Sequence, residues 1–464
     1  MHLNAFLMST GHHEASWRLP ESPAEANSDL EHYKNLARIA ERGKLDSLFL
    51  ADSPVLMGDP GRRPGARLEP TVLLTALAGA TRHIGLIATA STSYNEPFNL
   101  ARRFASLDHV SGGRAGWNIV TTAGAEAARN FGLDDTPLHK DRYRRAAEFV
   151  EVSTKLWDSW ADDAVIADKE RGVHTLAERV RRVDHVGEFF RVDGPLNVQR
   201  PPQGYPLLVQ AGSSENGKDF AARYAEAVFT AQQTLEEGIA FYKDVKQRAR
   251  LLGRNPDGIK ILPGIVPVIG DTEAQARELD AELDRLIVPE YAKRQLAKTL
   301  KVSPDVLELD AELPGNLPTE DEIEGSKSRY TLIVELARRE QLTVRQLIGR
   351  LGGGRGHRTF AGTAEQVADT IEHWYHSGAA DGFNIMPAVL PSGLELFVDR
   401  VVPILQERGL FRTEYTGSTL REHYGLPRPA NRLFEGVETV EIVDTVDTVA
   451  AGEGHTGIAL AAAR

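Results

Sequence analysis

Short apolar runs alternate with longer amphipathic runs along the chain. Eight apolar runs predict β-strands, at residues 3–8, 45–51, 84–90, 115–120, 205–211, 227–231, 259–269 and 382–386. An amphipathic run typical of a helix follows each strand, at residues 28–42, 70–80, 99–110, 139–157, 215–224, 235–252, from about 272, and at 394–407. Thr272 with Gln275, and Thr363 with Gln366 before a further helix at 367–376, have the spacing of a capping box. Eight strand–helix units in succession predict the α/β class and a (β/α)8 TIM barrel with insertions.

Two segments exceed what a minimal barrel needs. One spans 158–206, between the fourth and fifth strands, and the other spans 288–362, before the last unit. We interpret both as insertions in a single barrel domain at 1–411, followed by a C-terminal extension at 412–464. The second insertion contains the glycine run Gly352–Gly354. It is a candidate for a mobile lid over the barrel mouth, but the run is equally consistent with a plain flexible loop.

Composition and charge exclude several classes of protein. The net charge is −12, from 66 acidic and 54 basic residues, and no stretch is rich in lysine and arginine, so we expect no nucleic-acid partner. The chain has no cysteine, which excludes disulfides, thiolate metal sites and cysteine nucleophiles. The first residues lack a signal-peptide pattern, and no apolar run approaches the roughly 18 residues needed to cross a bilayer. We therefore expect a cytoplasmic protein with no membrane partner.

Polar residues follow six of the predicted strands at the point where each strand ends. In a TIM barrel these ends form one rim, which carries the active site. The candidates are His12 and His13 after the first strand, Asp52 after the second, residues 91–95 after the third, Asn118, Thr121 and Thr122 around the fourth, Gly212, Ser213 and Ser214 after the fifth, and Gln232 and Gln233 after the sixth. The two histidines have no second ligand group of the H-E-x-x-H type, so we expect no metal.

The stretch at 210–217 is the best candidate for a phosphate site. Gly212 permits close approach of the backbone. The hydroxyls of Ser213 and Ser214, with the free N–H groups of the following helix, can hold a dianion. The alternative is that Ser214 only caps that helix. The stretch has neither the P-loop nor the G-x-G-x-x-G pattern.

Three further features are each open to two interpretations. His139 and Tyr143 lie one helical turn apart, and they either close over a ligand or lie on the surface. Asp52 either lines the pocket as a functional acid or only caps a helix or turn. A basic loop after the second strand either attracts an anionic substrate or forms a solvated surface. Its arginines are Arg62, Arg63 and Arg67.

Several long strings of residues resemble one family of enzymes. These strings are AERGKLD at 40–46, FLADS at 49–53, YNEPF at 94–98, ARRFASLD at 101–108, GGRAGWNIVT at 112–121, QAGSS at 210–214, FTAQQ at 229–233 and ADGFN at 380–384. They resemble the bacterial-luciferase-like flavin monooxygenases, and within these the group of nitrilotriacetate and dibenzothiophene-sulfone monooxygenases. The resemblance runs from about residue 3 to about residue 428 and includes both insertions.

The resemblance implies a luciferase-like barrel that binds FMN at its mouth. The residues that match the family's flavin-contacting positions are Asp52, Ser91, Thr92, Asn118, His139, Tyr143, Ser213 and Ser214, with the two serines at the phosphate. Residues 93–95 would run beneath the isoalloxazine ring. The residues that would face the substrate are His13, Trp17, Gly356, His357 and Arg358. The candidate catalytic residues are His13, His139 and His357, and His139 is the candidate for holding or moving a proton during oxygenation.

The resemblance also implies a reaction and partners. A separate NADH:FMN reductase would supply reduced FMN, and O2 would be the co-substrate for oxidation of a small organic molecule. The alternatives are a deazaflavin-dependent oxidoreductase of the same superfamily and a non-catalytic flavin-binding protein. A polyaminocarboxylate substrate would require cations at the mouth, for which Arg62, Arg63, Arg67 and Arg358 are candidates. A sulfone or an alkane would require an apolar pocket. A homodimer or homotetramer is typical of the relatives.

Overall fold

The computed structural model describes residues 1–56, 58–323, 327–354 and 356–436. The strands in these residues are β1 (His2–Leu7), β2 (Ser47–Leu50), β3 (Gly85–Ser91), β4 (Ala115–Val120), β5 (Val165–Asp168), β6 (Val173–Thr175), β7 (His185–Val186), β8 (Arg191–Val192), β9 (Leu207–Ala211), β10 (Ala227–Thr230), β11 (Lys260–Ile269), β12 (Arg358–Gly362) and β13 (Gly382–Ile385). β5 with β6, and β7 with β8, form two small antiparallel hairpins in the predicted first insertion.

Helices occupy most of the remaining chain. They are α1 (Leu30–Arg42), α2 (Pro70–Ala78), α3 (Pro97–Ser111), α4 (Ala125–Arg129), α5 (His139–Trp157), α6 (Glu215–Tyr224), α7 (Leu235–Leu251), α8 (Glu273–Arg285), α9 (Pro289–Leu300), α10 (Lys327–Arg339), α11 (Val344–Gly354), α12 (Ala364–His376), α13 (Ser392–Leu396), α14 (Val402–Glu407) and α15 (Leu420–His423). In the described part of the chain, none of them combines the length and the apolar character needed to cross a membrane.

Eight of the strands form a closed parallel barrel, in the order β1-β2-β3-β4-β9-β10-β11-β13. The ring closes where β13 pairs with β1, with Gly382 opposite His2 and Ile385 opposite Ala5. Parallel neighbours need crossover connections, and the helices that make them cover the outside of the ring. The carboxyl ends of all eight strands therefore meet at one rim.

The eight strands predicted from the apolar runs are all present, and the TIM barrel is confirmed. Both capping boxes, at the starts of α8 and α12, are also confirmed. The helix predicted at 394–407 is confirmed as a continuous helical run, and the π-helical turn Phe397–Val401 between α13 and α14 is the feature that the pattern did not predict. Pro403 gives a physical reason. It has no N–H to donate, and its ring crowds the carbonyl of the preceding turn.

The segment 288–362 has an apolar core of its own, formed by α9, α10 and α11. The interpretation of the glycine run Gly352–Gly354 as a flexible loop is wrong, because these residues end α11. A Cβ on Gly352 would lie 2.5 Å from Ile287 Cδ1, so the absence of a side chain permits close packing there. β12, which the apolar pattern did not predict, pairs with the second half of β11.

Aromatic rings fill the inside of the barrel. Phe6, Phe49 and Phe229 meet edge to face, with ring centroids between 4.9 and 5.5 Å apart. Phe6 and Phe49 are register partners on neighbouring strands, so their side chains project from the same face of the sheet. The interior is therefore a packed core rather than a pore.

The C-terminal segment closes the end of the barrel opposite the rim. Residues 412–436 begin the predicted extension, and the rest of that extension lies outside the described residues. Tyr424 is fully buried, and its hydroxyl donates to Asn4 Oδ1 at 2.8 Å. The same Oδ1 accepts from Ser47 Oγ at 2.8 Å, and Asn4 Nδ2 donates to Asn384 Oδ1 at 3.0 Å. Burial raises the pKa of Tyr424, so the phenol remains protonated. The segment is thus bonded to the barrel through a buried polar network.

We expect Tyr424→Phe to lower the free energy of unfolding by about 1 kcal/mol, because it removes one buried hydrogen bond while Asn4 keeps its bond from Ser47. The shift of the urea midpoint, at an unchanged slope, measures the loss. Tyr375→Phe is the matched control, because the Tyr375 hydroxyl has no hydrogen bond to any residue that the structure describes. Equal stability of the two variants would contradict the role given to Tyr424.

Candidate functional site

Two cavities open at the rim of the barrel. The His139 cavity, of about 530 Å³, lies between the ends of β4 and β9, the start of α5 and parts of the second insertion. The His357 cavity, of about 590 Å³, lies between the starts of α6 and α7, α10 and His357. Gly212, Ser214 and Arg329 line both cavities, so the turn from β9 to α6 forms a shared wall. Volumes of this size suit a small organic ligand or cofactor.

Polar side chains cluster on the His139 side of this wall. The Tyr143 hydroxyl hydrogen-bonds to Ser214 and Thr121. The ring of His139 lies 4.9 Å from that of Tyr143 between centroids, and its Nδ1 lies 3.0 Å from the amide nitrogen of Asn216. The prediction that His139 and Tyr143 share a helical face is therefore confirmed. Burial raises the pKa of Tyr143, so the phenol remains a donor near neutral pH.

Ser213 and Ser214 have different positions at the wall. Ser214 accepts a hydrogen bond from the Gly217 N–H at 3.2 Å and caps α6, as one of its two interpretations predicted. Ser213 borders the His357 cavity, and its hydroxyl lies 3.1 Å from Thr230 Oγ1. The first turn of α6 begins at this point. Its N–H groups and its dipole favour a negative charge at the wall.

The side chains present fit the FMN that the resemblance implies. Within the described residues, Asn118 Oδ1 and Gln210 Oε1 are buried and have no hydrogen-bond donor. Each unpaired buried acceptor costs roughly 1–3 kcal/mol, which a ligand N–H or O–H would recover. A Cβ on Gly212 would lie 2.6 Å from Gln210 Nε2 and 3.4 Å from the Tyr143 hydroxyl, so glycine keeps this space open. FMN offers N–H and O–H donors together with a phosphate.

Ser91 and Thr92 join the end of β3 to the segment around the end of β4. Ser91 Oγ accepts from Thr122 Oγ1 at 2.8 Å, and Thr92 Oγ1 donates to the Val120 carbonyl at 3.1 Å. Both hydroxyls therefore help to hold the rim in shape.

Asp52 lies beside the basic loop that follows β2. Burial raises the pKa of its carboxyl, while the Ser53 N–H and the charge of Arg67 oppose the rise. Burial also lowers the pKa of Arg67, and the charge of Arg63 acts in the same direction. Arg62 is exposed. The loop thus places Arg67 near Asp52, Arg63 near Arg67 and Arg62 at the surface.

His13 and His357 are buried and held by their neighbours. His13 Nδ1 accepts from the Ala15 N–H at 3.1 Å, and its Nε2 lies 3.4 Å from Asp284 Oδ1. His357 stacks on Phe229 with ring centroids 4.9 Å apart, at the edge of the His357 cavity. Both imidazoles therefore occupy defined positions near the rim.

Arg358 and Trp17 lie outside the lining of both cavities. Arg358 Nη1 donates to the Gln233 carbonyl at 3.0 Å, and its guanidinium lies 5.6 Å from the centroid of the Trp374 ring. These contacts direct Arg358 toward α12 rather than into a cavity. Trp17 is half-buried after the end of β1.

Two residues at the wall had no predicted role. Asn216 lies within the predicted phosphate stretch, where the start of a helix could have indicated it. Arg329 comes from the second insertion, far from any strand end in the sequence, so no motif indicates it. Only the packing of α10 against the rim brings Arg329 to the site.

Comparison with known proteins finds relatives over almost the whole chain. The family model described as luciferase-like monooxygenase matches residues 6–381. N-acetyl-S-(2-succino)cysteine monooxygenase of Bacillus subtilis (strain 168) is 51% identical over 435 residues, which cover 93% of this chain and 97% of the relative. Nitrilotriacetate monooxygenase component A of Aminobacter aminovorans is 48% identical over 444 residues, with the same two shares covered.

A solved structure agrees with this assignment. The EDTA monooxygenase from Chelativorans sp. BNC1 is 40% identical, and the match covers 92% of this chain and 99% of that one, with a TM-score of 0.75. Both the sequence and the barrel are therefore shared with enzymes named as monooxygenases. The chain belongs to the luciferase-like monooxygenase family and is a flavin-dependent oxidoreductase on a TIM barrel.

Proposed function

We propose that this protein is the oxygenase component of a two-component monooxygenase that uses reduced FMN and O2 to oxidise a small organic anion. The observation that carries the proposal is the wall between the two cavities. There, hydroxyls, an imidazole and a helix N-terminus lie near two buried acceptors that have no donor among the described residues. The name "component A" of a 48% identical relative supports a second protein that supplies the reduced flavin.

In this proposal the phosphate of FMN lies at the turn from β9 to α6. Ser214 and Tyr143 offer hydroxyls there, and the first turn of α6 offers backbone N–H groups. Gly212 leaves room for the phosphate oxygens to approach the backbone. Ser213 would contact the phosphate from the side of the His357 cavity.

The rest of the flavin would extend across the mouth. Asn118 Oδ1 and Gln210 Oε1 would accept from the ribityl hydroxyls or from the ring N–H. Asp52, Ser91 and Thr92 would border the ring, with residues 93–95 beneath it. These assignments agree with the resemblance and with the location of the residues at one rim.

When bound, reduced flavin supplies the electrons that activate O2. The residues of the chain orient the flavin, exclude water and manage protons. Asn216 can only donate through its amide nitrogen, so in the neutral ring it favours the His139 tautomer with the proton on Nε2. We assign to His139 the holding or transfer of a proton during oxygenation. His13 and His357 are the secondary candidates.

The second insertion would act as a lid. Gln295, Lys298 and Ile323 from this segment border the His139 cavity, so the segment already covers part of the mouth. Its separate apolar core allows it to move as a unit relative to the barrel. Movement of the lid would admit substrate and then exclude water.

A polycarboxylate is the substrate class that we favour. The two relatives at 51% and 48% identity are named for polycarboxylates. Arg63 and Arg67 belong to the loop whose Gly58 borders the His139 cavity, and Lys301 borders the same cavity. Cations at these positions would attract carboxylates, whereas a sulfone or an alkane would gain nothing from them.

The proposed partner is an NADH:FMN reductase that releases reduced FMN for capture by this protein. Dependence on NADH favours a cytoplasmic location. A homodimer or homotetramer follows from the resemblance alone.

We expect product formation when the protein is mixed with a generic flavin reductase, NADH, FMN, O2 and a polycarboxylate. Mass spectrometry of nitrilotriacetate, EDTA, N-acetyl-S-(2-succino)cysteine and dibenzothiophene sulfone would detect the oxidised product. Omitting this protein while keeping the reductase is the control. Anaerobic turnover with a reduced deazaflavin, and no product with reduced FMN, would contradict the proposal.

We expect His139→Ala to lower the yield of product per NADH consumed by about 100-fold, because general acid–base groups contribute roughly 10²–10⁴ in rate. Product and consumed NADH are measured in the same reaction, so their ratio shows how much reduced flavin is oxidised by O2 without forming product. His373→Ala, which changes an exposed histidine on α12, is the matched control. Full coupling in His139→Ala would refute the role of this imidazole.

A further inference from the structure

Arg329, on α10, has an unusual position at the rim. It is half-buried and lines both cavities where Gly212 and Ser214 form their shared wall. A Cβ on Gly356 would lie 3.6 Å from Arg329 Nη1, so the guanidinium packs close to the backbone that leads into His357. Within the described residues, no carboxylate or carbonyl accepts a hydrogen bond from it.

Two of the five acids that border the His357 cavity pair with lysine and arginine. Glu215 pairs with Lys218 at 2.5 Å and with Arg248 at 2.6 Å, and Asp244 pairs with the same two cations at 2.7 Å each. None of these acids therefore depends on Arg329 for a counter-charge.

Of the other three acids at this cavity, two have partners and the third, Glu335, is exposed on α10. Glu237 pairs with Arg339 at 2.6 Å, and Glu320 accepts from the Thr331 hydroxyl at 2.9 Å. Burial lowers the pKa of Arg329, and no acid among the described residues offsets this effect. A guanidinium nevertheless stays charged in proteins, so within the described residues its desolvation has no compensating charge, and a bound anion would supply one.

We propose that Arg329 is a positioning residue that binds the phosphate of FMN from the side of the insertion, opposite Ser214 and the start of α6. This inference rests on the proposed function and names a contact within it. The shared wall is where the helix N-terminus favours a dianion, and the planar fork of arginine matches two phosphate oxygens. The phosphate therefore joins an element of the barrel to an element of the insertion.

This contact would couple cofactor binding to the insertion. The C-terminal end of α10 is already tied to the start of α7 through Arg339 and Glu237. Arg329 lies near the other end of α10 and lacks such a tie among the described residues. FMN would supply that second attachment and hold α10 over the rim.

Binding of FMN and riboflavin to Arg329→Gln tests the proposal, because riboflavin lacks the phosphate. The full chain is titrated with each flavin, oxidised under air and reduced under anaerobic conditions, and the dissociation constants come from fluorescence or calorimetry. We expect FMN affinity to fall roughly 10- to 100-fold and riboflavin affinity to change less than two-fold. Arg329→Lys should recover part of the loss, because it keeps the charge without the fork.

Arg338→Gln is the matched control, since it makes the same change at an exposed position of the same helix. Its FMN affinity should equal that of the wild type. If Arg329→Gln binds FMN within two-fold of the wild type, this inference is overturned but the proposed function is not. If that variant also has a raised KM for substrate, the arginine contacts the substrate instead. An equal loss of affinity for FMN and riboflavin would also overturn the inference, because it would indicate a general effect of the substitution on folding. A wild-type chain that binds neither flavin would overturn the proposed function as well.

Discussion

Closure of the parallel strand ring is the constraint on which the rest of the structure depends. Once β13 pairs with β1, none of the eight ring strands has a free edge, and all eight run in the same direction. Residues that are far apart in the chain, such as Asn118 and Gln210, are then brought to the same end of the barrel. A one-residue slip in any strand would turn its inward residues outward, so the register that packs Phe6 against Phe49 also positions the rim.

Buried charges at the closed end of the barrel pair with one another. At the closed end, burial alone would raise the pKa of Asp46, but Arg412 and His2 hold it below its usual value. At the same end, Arg421 pairs with Glu226 at 2.6 and 2.8 Å. These charges satisfy one another and stabilise the seal. At the rim, Asn118 Oδ1 and Gln210 Oε1 have no donor among the described residues. Unsatisfied buried groups are costly, and Gln210 borders the His139 cavity, so a ligand bound there would supply the donor that its Oε1 lacks.

The sequence predicted those parts of the fold and site that depend on local pattern. The eight strands follow from apolar runs, and the sharing of a helical face by His139 and Tyr143 follows from their spacing. Features that depend on contacts between distant segments were missed. β12 lies beside the ring rather than in it, so its sequence lacks the apolar run of a strand buried on both faces. The helix that contains Gly352 is stabilised by packing against Ile287. Helix propensity alone disfavours glycine there, and tertiary contacts override it.

Prediction of the site from the sequence was limited in the same way. Ser214 and the start of α6 are adjacent in the sequence, so a phosphate site could be proposed from them. Arg329 enters from a segment more than 100 residues away, and only the folded chain brings it to Ser214. Burial of Asp52 beside Arg67 likewise depends on how the loop folds back over the rim.

This division between barrel and insertion bears on how specificity arises. The barrel wall supplies the groups suited to a flavin, whereas the insertion adds Lys301, Arg329 and part of the cover over the mouth. Because the insertion packs around its own apolar core, its surface residues can change without disturbing the strand register. Relatives at 51% and 48% identity carry the names of different substrates. Under the proposed function, a cofactor site on the closed ring and a substrate cover on a separate core would account physically for that combination.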